Sequence, residues 1–232
     1  MKRVAKIQKI LGVITLILLG AGLWLAWTAP IDFQQGNSVR ILYLHVPSAK
    51  IALLSYLVLA IASGIFLWRR NEMADIVAEA VVPIGAIFSF VTLASGSIWG
   101  KPMWGTYWTW DARLTSMLIL LILYMGLLAM RHALDDPGKG ARATAVLALV
   151  GFVDLPIIHF SVKWWRTLHQ PPSFSGPADK GITIAGPLLM PLIVMAVAFI
   201  ALGSYLLIVK IREVAAKREL EAIEAEKLYG KM

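Results

Sequence analysis

Long apolar runs constrain this chain more than any other feature. They occupy residues 10–29, 51–68, 80–98, 114–130, 143–160 and 184–209. A helix needs about 20 such residues to cross the hydrocarbon of a bilayer. Only helices and closed barrels satisfy every backbone group there. The expected fold is therefore all-α: an integral membrane bundle of six transmembrane helices. The fifth run is the weakest, since Asp154 and Pro156 interrupt it, yet it spans about 27 Å at 1.5 Å per residue. The sixth carries Gly186, Pro187 and Pro191 near its start, which neighbouring helices can accommodate. The first run is longer than a signal-peptide core of about 7–15 residues. Pro30 follows it, with no small-x-small cleavage site before it, so a retained first helix is expected.

Charge sets the expected orientation. The chain has 232 residues, 59% hydrophobic and 16% charged, with a net charge of +8. In a soluble protein that excess would point to nucleic acid. Here the basic residues flank apolar spans, as membrane topology requires. Lys2, Arg3, Lys6 and Lys9 precede the first run, Arg69 and Arg70 follow the second, and Arg131, Lys139 and Arg142 lie between the fourth and fifth. Lys210, Arg212, Lys217, Arg218, Lys227 and Lys231 follow the sixth. The positive-inside rule then puts both termini in the cytoplasm and loops one, three and five outside. Residues 1–211 read as the membrane domain. Residues 212–232 read as a charged cytoplasmic tail that forms a short solvated helix. The chain has no cysteine, which excludes disulfides, Cys-ligated zinc, iron–sulfur clusters and a CxxCH haem attachment within it.

The nine tryptophans are distributed unevenly over that topology. Trp24 and Trp27 end the first span. Trp99, Trp104, Trp108 and Trp110 sit in or beside loop three, and Trp164 and Trp165 lie at loop five. Trp68 alone falls on the inner side. An aromatic belt would enrich both interfaces, so a belt alone accounts poorly for this asymmetry, although Trp24, Trp27 and Trp68 individually read as belt residues. Gly100, Pro102 and Gly105 lead us to expect a loop over residues 99–111. Its aromatics, Tyr107 included, offer a surface for a large planar ligand. Lys101 and Arg113 stand ready for carboxylates on it. Asp111 opens the fourth helix as an N-cap.

The four histidines complete the pattern. His45 lies in loop one before the second span, and His169 lies in loop five. Both are expected on the tryptophan face, where two imidazoles can ligate one iron with the aromatic loop walling a porphyrin. His159 lies inside the fifth apolar run and His132 on the inner side, which makes them weaker candidates. Aromatics, paired imidazoles and nearby cations together point to haem. A quinone or another flat anion would use similar groups, apart from the paired histidines.

The run from Trp99 through Trp104-Gly-Thr-Tyr-Trp108-Thr-Trp110-Asp111-Ala-Arg-Leu-Thr-Ser116 resembles the tryptophan-rich WWD signature of haem-handling membrane proteins. Its Asp-Ala-Arg-Leu-Thr-Ser ending is similar to the heme exporter protein C (CcmC) family of cytochrome c maturation. The larger WWD relatives continue Asp-Pro and have more helices. The resemblance implies haem b held at the periplasmic face between two axial ligands, at positions matching His45 and His169. The haem platform between them is then the aromatic surface of Trp99, Trp104, Tyr107, Trp108, Trp110 and Asp111, and the carboxylates facing Lys101 and Arg113 are the propionates. The resemblance also implies the bacterial inner membrane and a periplasmic haem chaperone of the CcmE kind as recipient. The implied companions are a small single-helix subunit like CcmD and ABC transporter subunits like CcmA and CcmB. Two roles stay open: a lyase-like catalyst of covalent haem attachment, or a scaffold that positions the reactants.

Two other classes compete. A membrane-anchor cytochrome b would bury its histidine pairs within the helices. A permease subunit would need a polar, discontinuous midplane site, for which only Asp154 and the proline-rich start of the sixth span speak. No G-x-x-x-x-G-K-[ST] loop is present, so the chain has no ATPase motif of that type.

Overall fold

The structure, a computed structural model, describes residues 2–134, 136–169, 184 and 186–229. Its elements are α1 (Lys2–Thr28), α2 (Leu42–Arg69), α3 (Glu72–Trp104), α4 (Ala112–His132), α5 (Pro137–Gly151), α6 (Asp154–Trp164) and α7 (Gly186–Tyr229). A 3-10 turn over Asn37–Ile41 leads into α2. No strand occurs among the described residues beyond a bridge between Asp32 and Gly36. Six segments are long and apolar enough to cross a membrane, α5 and α6 together forming the fifth. The chain is a multi-pass membrane protein built as the expected six-helix bundle.

Local chemistry fixes where the helices begin and end. The Asn71 side chain caps α3 by accepting from the Ala74 amide at 3.0 Å. Asp111 caps α4 through the Leu114 amide at 2.8 Å. Asp136 caps α5 by accepting from Gly138 at 2.8 Å and Lys139 at 3.1 Å, and these amides hold its carboxyl below the ordinary carboxylate range. Each side chain occupies a backbone donor that the first helical turn leaves free.

Two expectations about element limits are corrected and two are refined. Residues 99–104 are not loop but the last turns of α3. That helix ends at Gly105, whose φ of 76° is the left-handed cap that glycine favours. The Gly105 amide donates to the Lys101 carbonyl at 3.0 Å, and Lys101 Nζ donates to the Gly105 carbonyl at 3.0 Å. His45 is likewise not in a loop but in the first turn of α2, because the 3-10 turn feeds directly into that helix. The fifth span is broken at Phe152 and Val153. Pro156 has no N–H for the Phe152 carbonyl. The Leu155 amide takes that carbonyl instead at 3.1 Å, which tightens the turn before α6 restarts. Finally, α7 runs through residue 211 without interruption, so the helix expected in the tail is its continuation through Tyr229.

In lipid, helices gain little from apolar contact alone, and close packing against small residues takes its place. A Cβ at Gly85 would lie 2.0 Å from the Tyr124 ring, and one at Gly151 would lie 2.1 Å from the Tyr56 hydroxyl. The two tyrosine rings meet edge to face at 5.2 Å, and the Tyr124 hydroxyl donates to the Ala52 carbonyl at 2.8 Å. These contacts join α2, α3, α4 and α5 at mid-bundle. The α7 helix packs on α2 and α3, and α1 packs on α7.

Contacts at the two ends are those of spans that alternate in direction. At one end the Arg40 guanidinium lies 5.1 Å over Trp27, and the Trp99 indole donates to the Gln35 side chain at 3.1 Å. At the opposite end Arg131 binds Asp75 with two bonds of 2.7 Å and Glu79 at 2.8 Å. Arg218 from α7 joins the same two carboxylates at 2.7 and 2.6 Å. Arg212 also reaches Gln8, tying α1 to α7.

Candidate functional site

The first end gathers the residues that the sequence singles out. His45 projects from α2 against α3. Its Nδ1 lies 3.1 Å from both the Thr92 carbonyl and the Ser95 hydroxyl. A carbonyl can only accept, so Nδ1 carries the proton. Ser95 turns its own hydroxyl hydrogen toward the Val91 carbonyl at 2.6 Å, which leaves its oxygen free to accept as well. The His45 ring packs edge-on to Trp99 at 5.6 Å. It also leans on Gly96, where a Cβ would lie 2.9 Å from Cε1.

His169 meets the site from the segment after α6. Its Nδ1 lies 3.4 Å from Asp111 Oδ2, and its ring meets Trp104 edge-on at 4.8 Å. Asp111 thereby has two duties. One oxygen caps α4, while the other accepts from the Leu168 amide at 3.3 Å and faces the His169 ring. Burial pushes the His169 imidazole below its ordinary range, and the Arg113 charge pushes the same way against the opposing pull of Asp111. The two imidazoles thus pack against the same last turns of α3, His45 on Trp99 and His169 on Trp104. No hydrogen bond engages either Nε2 among the described residues.

The tryptophans do not lie in one plane. Trp108 and Trp110 meet at 5.4 Å with an interplanar angle of 80°. Trp99 and Trp104 each bracket one histidine, while Trp110 and Tyr107 are exposed. Trp108 is half-buried, and its indole nitrogen is buried without a partner among the described residues. Lys101 lies over the Tyr107 ring at 5.4 Å. A cleft of about 350 Å³ beside Asp111 is lined by Thr109, Trp110, Arg166, Thr167 and Leu168.

Several contributors are not evident from sequence. Gln35 holds Trp99, Thr92 and Ser95 hold His45, and Arg166 adds a cation beside Trp110. The one signal for the second pair is the small, polar run Ser95-Gly96-Ser97 inside an otherwise bulky apolar span. His159 does not join the site. It is exposed on α6 beside Phe160 at 4.7 Å. His132 ends α4 at the other end of the bundle.

Fold and site together define a multi-pass membrane protein with an aromatic- and imidazole-lined site at one end of its bundle. Residues 1–226 match the family model described as heme exporter protein C. A heme exporter protein C of Bradyrhizobium diazoefficiens is 47% identical over 221 residues, covering 95% of this chain and 83% of that protein. One from Haemophilus influenzae is 46% identical over 208 residues, covering 89% and 84%. A putative cytochrome c biosynthesis ccmC-like mitochondrial protein of Marchantia polymorpha is 41% identical over 188 residues, covering 81% and 78%. The chain belongs to the heme exporter protein C family.

Proposed function

We propose that this chain holds haem b between His45 and His169 at the periplasmic end of its bundle and passes it to a periplasmic haem chaperone of the CcmE kind during cytochrome c maturation. The observation that carries this reading is the matched pair of imidazoles. Each has Nδ1 committed to a protein acceptor, so each must present Nε2 as its metal-binding nitrogen. The donor set fits haem iron, which accepts two axial imidazoles. Haem is the cargo here. Bound, it would supply a planar dianionic ligand whose open edge is available for transfer.

The chain's own residues have distinct parts in that account. Trp99 and Trp104 fix the two histidine rings by edge contact. Trp108, Trp110 and Tyr107 wall the opening, and Lys101, Arg113 and Arg166 attract the propionates. The charged cytoplasmic tail, residues 212–232, and the membrane domain, residues 1–211, serve assembly with a CcmD-like single-helix subunit and CcmA/CcmB-like ABC transporter subunits in the bacterial inner membrane. Both termini are then cytoplasmic, in accord with the Lys and Arg distribution.

Passage of haem through this chain has less support. Asp154 is buried with one carboxylate oxygen unpartnered among the described residues, and α5 breaks beside it. However, Tyr56 packs closely on Gly151 at that point: a Cβ added at Gly151 would lie 2.1 Å from the tyrosine hydroxyl. Transfer at the surface is the better-supported role. The test is covalent loading of the chaperone in membranes carrying the whole assembly. Simultaneous replacement of Trp104, Trp108 and Trp110 by alanine is expected to lower loading at least tenfold. Normal loading in that variant would refute the aromatic enclosure.

A further inference from the structure

The two imidazoles are held by unequal partners. His45 Nδ1 faces a neutral carbonyl and a neutral hydroxyl. His169 Nδ1 faces a carboxylate oxygen, Asp111 Oδ2. The other Asp111 oxygen is occupied at 2.8 Å by the Leu114 amide. That bond anchors the carboxylate to the start of α4, and the 3.3 Å contact with the Leu168 amide draws the His169 segment onto it. An acceptor so fixed has one geometry to offer the ring.

We propose that Asp111 is the positioning residue of His169: its Oδ2 accepts the Nδ1–H bond and keeps Nε2 deprotonated toward the iron, making His169 the stronger donor of the two axial histidines. This rests on the haem reading above and adds an asymmetry to it. A carboxylate on Nδ1–H raises the electron density of the imidazole and locks both its tautomer and its orientation. A carbonyl or hydroxyl on His45 locks the tautomer with a weaker push. The α4 cap and the axial ligand thus share one side chain, so the WWD aspartate links the end of the aromatic loop to iron ligation.

Substitution by asparagine separates the two duties. To keep the cap, the introduced amide must aim its oxygen at the Leu114 N–H, and its NH2 then faces His169. Nδ1 must accept that bond, so the ring proton moves to Nε2 and blocks the iron-binding nitrogen. Serine is the second variant. It caps a helix about as well as aspartate, but its one neutral oxygen, held at the Leu114 amide, replaces the second, charged oxygen that faces His169.

The experiment uses the full chain purified with its membrane partners, as wild type and as the Asp111→Asn, Asp111→Ser, His169→Ala and His45→Ala variants. Haem content, optical spectrum and electron paramagnetic resonance are read before and after addition of free imidazole. Asp111→Asn and Asp111→Ser are expected to reproduce the spectrum of His169→Ala: loss of the six-coordinate low-spin signal and haem retention about tenfold lower. Added imidazole is expected to restore the low-spin signal in all three, which repair of a collapsed fold would not do. A wild-type spectrum in a folded Asp111→Ser variant would overturn the proposal, as would low-spin loss that imidazole does not restore in either Asp111 variant. A wild-type protein without haem would overturn the haem reading itself, and this inference with it.

Discussion

Gly96 shows how narrowly the His45 ring is placed. One turn of α3 presents Thr92 and Ser95 to Nδ1 and then leaves a gap at Gly96 for the ring. A methyl there would lie 2.9 Å from Cε1, closer than real Cβ contacts allow, so the ring must shift. Gly96→Ala is expected to reduce haem retention about tenfold, the usual loss when a ligand's support is disturbed. Gly64→Ala, which meets nothing within 4 Å, is expected to leave it unchanged. Haem absorbance of the two purified variants, normalised to protein, checks the pair. This part of the site was only partly legible in sequence. His45 and His169 stand out because imidazoles are few and the topology puts them together. Thr92, Ser95 and Gly96 do not stand out, since Ser and Gly are ordinary in membrane helices and only the approach of α2 gives them a partner. Asp111 was legible as a cap because a cap is local. Its contact with His169 spans 58 positions of sequence and required the fold.

At the level of elements, apolar run length located all six spans, because a bilayer enforces about 20 such residues per helix. Their ends were less legible. Gly100 and Pro102 resemble breakers, yet α3 continues to Trp104 because Gly105 and Lys101 close it there. Trp99 and Trp104 therefore stand on a helix and not in a loop. A second element-level device lies at the opposite end, where α7 is tied to α3 and α4. Arg131 and Arg218 share Asp75 and Glu79, and Asp75 is buried. Removing one guanidinium leaves carboxylates short of a partner. For fully buried pairs this costs about 3–5 kcal/mol. Solvent reaches the side chains here, at 15% exposure for Arg131 and 23% for Arg218, so the cost falls below that, toward the roughly 1 kcal/mol of an exposed pair. Arg131→Ala is expected to lower the thermal midpoint in detergent more than Arg218→Ala, because Arg131 makes the bidentate bond to Asp75. Arg218→Ala is expected to make the helix after residue 212 more open to protease. An unchanged midpoint in both variants would rule out this clamp.

Across the whole molecule, charge and chemistry segregate to opposite ends. The arginine–carboxylate clamp and most of the basic residues lie at one end, and the aromatics, His45, His169 and Arg113 lie at the other. Between them tyrosines pack closely on glycines at mid-bundle. Under the function proposed above, the clamp end would dock partners and the aromatic end would offer the flat ligand. The central claim is that His45 and His169 together bind one haem. Its most direct test is the electron paramagnetic resonance spectrum of the full chain purified with its membrane partners, compared with the His45→Ala and His169→Ala variants. A low-spin bis-imidazole signal that each substitution abolishes is the expected result. A low-spin signal unchanged in both variants would contradict it.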